Sequence, residues 1–343
     1  MIRPWPRAFS HEEVTNVGHE LATINGRTAM MYVGEVPWHG LGTRLAAPAT
    51  AREAIEAANL DYVVALAGMT TTDGIPIPSR KAVVRTDTDE VLGVVGNTYV
   101  PVQNREAFAF LDSIVADGSL RYHTAGALRK GERIWLLAKL PGQIRVRFSE
   151  DVSEKYLLLS NSHDGSSALR VFFTSIRVVC ANTLTMADRE GRGEGVSIRH
   201  QGNLVSKIRR AREVLGIAAR HFDDLENQFD LLARHYPSYG QVSGYFKALY
   251  PDPEEGNPAR SQNVRDELFR LFENGKGQDI PEIKLTSWAM FNAMTEYVDH
   301  HRPTRAKSEF DRAANRLDSS WFGSGARLKE KAFKLALEMA SGD

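Results

Sequence analysis

Between residues 121 and 147 the chain carries seven cations, Arg121, Arg129, Lys130, Arg133, Lys139, Arg145 and Arg147, opposed only by Glu132. Cations at that density neutralise a polyphosphate backbone, and Tyr122 and Trp135 among them offer planar surfaces on which bases stack. Arg170 and Arg177 extend the run. A solvated sheet edge accounts for the same residues, because Lys and Arg on exposed strands block edge-to-edge aggregation. Further on, Lys207, Arg209, Arg210 and Arg212 have Glu213 as their nearest acid. On a helix such residues are its wet face, so they are weaker evidence for a nucleic-acid contact.

The segment Pro37-Trp38-His39-Gly40-Leu41-Gly42-Thr43 is the second candidate. Trp38 and His39 have rings that stack on a planar ligand, while Gly40 and Gly42 permit unusual dihedrals or a tight backbone approach. A Trp anchor buried in a tight loop explains the same residues. No Gly-Lys-Ser/Thr follows, so the segment is not a phosphate-cradling loop of the nucleotide hydrolases, and it lacks the strand–helix context of a dinucleotide fingerprint.

Catalytic constellations are weaker. Cys180, with Asn182 beside it and His123 or His163 elsewhere, imitates a thiol nucleophile and base, but it lies in an apolar run where a buried, inert thiol is the ordinary outcome. Asp299, His300 and His301 cluster at a helix end, yet adjacent histidines on a helix diverge, whereas metal pairs favour i, i+4 spacing. His163-Asp164-Gly165 reads as a turn. No carboxylate pair marks acid–base work, so the expectation is a non-catalytic protein with no cofactor and no metal.

The elements that position these residues follow from periodicity. Thr50 and Glu53 form a capping box for a helix over Ala51–Asn59. Asp61–Met69 is a short apolar run, and Lys81–Thr86 with Val91–Gly96 reads as a hairpin. Asn104 caps a helix over Arg105–Ala116. In Glu132–Leu140 both faces are apolar, which predicts a central strand, while Gln143–Phe148 sets Ile144, Val146 and Phe148 against Arg145 and Arg147. Tyr156–Ser160 and Ala168–Ser175 flank the Asp164-Gly165 turn and pair; Ser175–Asn182 extends the last strand or opens a helix. After the Gly-rich Glu190–Gly195 the strand signal fades, which divides the chain into an α+β unit over 1–195 and a mostly helical unit over 196–343. From Leu204 to Leu232, through Ile208, Ala211, Leu215, Ala218, Phe222, Leu225 and Phe229, apolar residues recur in alternating steps of four and three. This heptad seam predicts one long helix packed on a partner helix of the same or another chain. The expected fold class is therefore α+β: an antiparallel, hairpin-rich sheet with packed helices, followed by a helical region.

Composition bounds the rest. In 343 residues, Lys+Arg 43 balance Asp+Glu 43, so a polyanion partner must be held by a local patch. Hydrophobic residues at 42% suffice for a core, which excludes wholesale disorder. A single cysteine excludes an internal disulfide and points to a reducing compartment. Residues 1–13 lack an apolar targeting core and no apolar run approaches the ~20 residues that span a bilayer. A cytoplasmic location away from membranes is expected.

The Pro37–Thr43 segment, the stretch Gly96-Asn97-Thr98-Tyr99 followed by Pro101-Val102-Gln103-Asn104, and Arg177-Val178-Val179-Cys180-Ala181-Asn182-Thr183-Leu184 together resemble a phage/plasmid-like family. Its members carry a Leu-Gly-Thr motif, here Leu41-Gly42-Thr43, and are labelled as a domain of unknown function. The resemblance spans most of the chain, residues 15–320, and implies a mobile-element origin without catalytic residues to transfer. In outline the pattern is also similar to phage single-strand annealing proteins, which form oligomers and hold single-stranded DNA in a positive groove without nucleotide hydrolysis. That similarity implies single-stranded DNA as partner and a homo-oligomer as the working form. Arg129, Lys130, Arg133, Arg145 and Arg147, with Arg170 and Arg177, would then neutralise phosphates, and Trp38 or Tyr99 would support a base. A structural or protein-interaction factor built on the heptad seam is the alternative, and a nucleic-acid-processing enzyme the third.

Overall fold

Side-chain alternation along the strand that carries the basic run organises the molecule. Ile134, Leu136 and Ala138 are buried on one side of it, Trp135 and Leu137 on the other. A strand apolar on both faces has to be interior. The computed structural model describes residues 22–24, 27–34, 42–112, 120–147, 149–177, 179, 183–185, 195–201, 218–304, 312, 315–316 and 319–342. It places this strand, β9 (Arg133–Arg145), mid-sheet in the order β12-β11-β10-β9-β8-β3-β4.

The other members of that sheet are β3 (Met30–Val33), β4 (Thr43–Leu45), β8 (Arg121–Leu128), β10 (Val152–Ser162), β11 (Leu169–Arg177) and β12 (Thr183–Thr185). A further strand, β13 (Gly195–Ile198), also pairs with β11. All these ladders are antiparallel except β3–β4, which is parallel. The stretch expected as a separate strand at Gln143 instead continues β9 past an irregularity, where Lys139 faces Tyr156 and Gln143 faces Glu154. At the undecided Ser175–Asn182 stretch, strand β11 runs on to Arg177. A three-stranded antiparallel sheet, β5 (Val64–Thr70), β6 (Pro76–Arg85) and β7 (Val91–Gly96), contains the expected hairpin. Two short strands, β1 (Thr23–Ile24) and β2 (Arg27–Thr28), pair separately.

Helix α1 (Ala51–Ala57) starts at the Thr50/Glu53 capping box, where both reciprocal hydrogen bonds form. It and α2 (Asn104–Asp112) pack on one face of the large sheet; Phe108 of α2 sits 5.0 Å from the Tyr122 ring. The same face receives the helical half of the chain: α3 (Ala218–Arg234), α4 (Tyr239–Leu249), α5 (Ala259–Asn274), α6 (Ser287–Glu296, continued by a π turn over Tyr297–His301) and α7 (Ser324–Ser341). The described half of the heptad seam is satisfied within this chain. Phe222, Leu225, Phe229 and Leu232 are buried, with Phe229 on Trp288 at 4.3 Å and Phe333 at 6.0 Å and Phe222 edge-on to Phe173 at 5.5 Å. The seam's first half, Leu204–Leu215, lies outside the described residues. No described helix is long and apolar enough to cross a membrane.

Candidate nucleic-acid interface

The turn between β8 and β9 carries Arg129 and Lys130. Arg129 (φ 56°) and Gly131 (φ 101°) are both left-handed, and a Cβ on Gly131 would stand 2.8 Å from the Tyr62 hydroxyl. Tyr62 donates to the Gly131 carbonyl, and the buried Arg85 guanidinium lies 3.9 Å from the Tyr62 ring centroid. Arg85 is held bidentately by Asp87 and donates to the Lys130 carbonyl, so it clamps the turn to the three-stranded sheet. The Arg129 and Lys130 side chains emerge at this end and meet carboxylates: Arg129 meets Glu132 at 3.1 Å and Asp164 at 3.9 Å, and Lys130 meets Glu90 at 3.4 Å. Exposed pairs of this kind hold charge in place but contribute little stability.

Strand register then sorts the remaining cations. Arg133, Trp135, Leu137 and Lys139 of β9 share the sheet face opposite the helices with Leu128, Gly126, Thr124 and Arg121 of β8. Across β10, Trp135 pairs with Ser160, which pairs with Arg170 of β11. Past the irregularity, Gln143 and Arg145 return to the same face, because Ile144 between them is buried on the other. At the far end Arg44 of β4 lies beside Tyr32 of β3, which lies beside Thr124. Arg44, Arg121, Arg133, Lys139, Arg145 and Arg170, drawn from four strands, thus occupy one face, and Glu154 is the only acid at a described strand position on it. Arg44, Arg121, Arg145 and Arg170 are exposed. Arg133 and Arg145 stand at the two ends of β9, about 40 Å apart at ~3.3 Å per residue.

Two of the cations expected on this face are elsewhere. Arg147, expected beside Arg145 by alternation, lies beyond the strand end at φ 48°. Its amide donates to Asp230 and its guanidinium to the Ala233 carbonyl, so it anchors α3. Arg177 is 3% exposed on the helix-packed face, 2.7 Å from the fully buried Asp151. The same carboxylate accepts the Trp288 indole N–H at 2.6 Å, and Arg177 donates on to the carbonyls of Lys276 and Gly277. This network ties sheet to helices and is out of reach of a surface ligand. Nothing in the sequence marks Arg44, because its parallel partner Tyr32, twelve residues earlier, leaves no periodic signal.

The motif residues have local structural work. Gly42 (φ 102°) approaches β3 so closely that a Cβ would stand 2.8 Å from the Met30 carbonyl oxygen, and Thr43 opens β4. Tyr99 donates to the Ser162 carbonyl and stacks on His200 at 4.8 Å, which already occupies one face of its ring. Trp38, His39 and Gly40 lie outside the described residues, as does Cys180.

Two further groups shape the electrostatics. Burial opposes ionisation of Glu154, but the hydrogen bonds from Lys139 and Tyr156 outweigh it and hold the carboxyl below its ordinary value. His123 packs edge-on to Tyr156 at 5.5 Å and is pushed down by burial. Among the described residues no group of three His, Cys, Asp or Glu side chains is placed to hold a metal ion. Away from the sheet, a cleft of about 1300 Å³ lies between α5 and the π turn. Of its carboxylates, Asp252 and Glu267 are bound by Arg265 and Arg270.

Fold and surface together define a mixed α+β protein with a cation-bearing sheet face. The chain belongs to the family described as Domain of unknown function (DUF932), which matches residues 91–321. No curated protein and no solved structure matches it.

Proposed function

We propose that the sheet face opposite the helices binds the phosphate backbone of single-stranded DNA, without nucleotide hydrolysis, and that it serves strand annealing in phage or plasmid recombination. One observation carries this reading: strand register gathers Arg44, Arg121, Arg133, Lys139, Arg145 and Arg170 on one face, where Glu154 is the only acid at a described strand position, although Asp164 acts electrostatically on Arg133 and Asp112 and Glu53 on Arg121. Lys139 is paired with Glu154, and the five arginines are the groups assigned to phosphates. A track about 40 Å long suits an extended strand better than a compact ligand. A homo-oligomer would join such tracks end to end, and light scattering of the purified protein tests that.

Five arginines, each neutralising one phosphate of a single strand, give a slope of log affinity against log salt of roughly −3.5. Fluorescence anisotropy with a short labelled oligothymidylate, titrated over a range of salt, measures it. Combining Arg121→Ala, Arg145→Ala and Arg170→Ala should flatten the slope to roughly −1.4. Absence of binding, or a slope untouched by the triple variant, refutes the proposal.

A second function, that of a structural or protein-interaction factor, draws on a separate feature. Val63, Val91 and Val94 stand 53%, 53% and 49% exposed, and the register of β5–β7 puts them on one side of the small sheet with Ala65 and Val84. Exposed apolar surface of that kind suits a protein contact.

A further inference from the structure

A second hydrophobic cluster, separate from the main core, lies on the cationic face around Trp135, Leu137, Leu158 and Phe172, with Trp321 and Phe322 packed against it. Trp135 is fully buried, seated over Gly126, where a Cβ would stand 2.4 Å from the indole ring. Trp321 meets it edge-on at 6.4 Å, Phe322 meets Trp321 at 6.2 Å, and the Arg133 guanidinium lies 5.7 Å from the Phe322 ring centroid. Unlike Trp135, both outer rings are only half-buried. Arg133 on β9 and Arg170 on β11 stand two strand spacings apart, about 10 Å, and Trp135 lies on β9 with Arg133, in register with Arg170 through Ser160 of β10. Aromatic surface left partly open beside the Arg133 guanidinium, on the face that also carries Arg170, has the composition of a single-strand platform: cations for the phosphates, rings for the bases.

We infer that Trp321 and Phe322 form a base-stacking platform on this face, with Arg133 and Arg170 holding the adjoining phosphates. The ligand class is the nucleobases of an unpaired strand, accepted without regard to sequence because every base has a π-face. This rests on the backbone-binding function proposed above. An apolar cap over Trp135 and Leu137 would account for the burial of both rings, but it would be indifferent to bases.

The test compares the full chain binding oligothymidylate with its binding to an abasic phosphodiester of equal length. Wild type should prefer the base-bearing strand on the order of tenfold for each stacked base. That preference should fall towards unity in the combined Trp321→Leu/Phe322→Leu variant, which keeps apolar volume, while the salt slope stays unchanged. Oligothymidylate should also quench a component of tryptophan emission that Trp321→Leu lacks. Equal binding of the two strands by wild type overturns the platform and leaves backbone binding standing. A preference that survives in the double variant overturns it as well, and failure to bind either strand overturns both proposals. The wild-type comparison of the two strands can overturn the platform even where the leucine variants fold poorly.

Discussion

Acidification should destabilise this protein through one buried ring, His163. The ring is fully buried, and its Nε2 lies 2.8 Å from Asn104 Oδ1. Because the Asn104 amide nitrogen donates to the Leu60 carbonyl, Oδ1 is the acceptor and Nε2 carries the proton. Nδ1 is buried with no hydrogen-bond partner, so a second proton would find nothing to bond. Burial, assisted by the nearby His200, pushes the ring from its ordinary 6.5 down to about 3. The folded state therefore refuses a proton that the unfolded chain accepts. Stability is intact above the unfolded value and declines as pH falls below 6.5, continuing until about 3. Near pH 5 the loss is about 2 kcal/mol, from about one and a half pH units at 1.36 kcal/mol each. His163→Gln retains a donor for Asn104 and does not titrate. Urea unfolding of both proteins near neutral pH and near pH 5 should show the wild type losing about 2 kcal/mol more than the variant. The double difference cancels every other titrating group the two chains share. Equal losses, within about 0.5 kcal/mol, would refute the account of a ring buried in its neutral form.

Arg177→Ala leaves the Asp151 carboxylate buried without its cation and should cost about 3–5 kcal/mol in denaturant unfolding, while Arg170→Ala, on the exposed face, should stay within about 0.5 kcal/mol; similar costs for the two would contradict the division of these arginines between interior and surface. Gly126→Ala drives a Cβ to 2.4 Å from the Trp135 ring and 2.9 Å from the Ala29 carbonyl oxygen, so it should destabilise by about 1–3 kcal/mol. An unchanged melting temperature would show that the ring has room to move.

Local features were legible in the residues themselves. The Thr50/Glu53 box starts α1, the Asp87–Glu90 turn joins β6 to β7, Asp164-Gly165 joins β10 to β11, and the doubly apolar stretch after Glu132 is an interior strand. Each depends on neighbours a few residues apart, where backbone geometry and side-chain alternation act directly. The basic run was legible as a run, though not as a surface. Alternation assigns Arg145 and Arg147 to one face, but Arg147, itself left-handed and past the strand end, leaves it to bind α3. Nothing near Arg177 in the chain announces Asp151 or Trp288, which lie 26 and, from Asp151 to Trp288, 137 positions away. Likewise the heptad spacing marks an apolar stripe on α3, whereas Trp288 and Phe333 decide that its described half packs within its own chain. Periodicity determines which residues of one element share a side. Only tertiary pairing decides which elements lie together, because burial and ion pairing act between groups close in space however far apart they are along the chain.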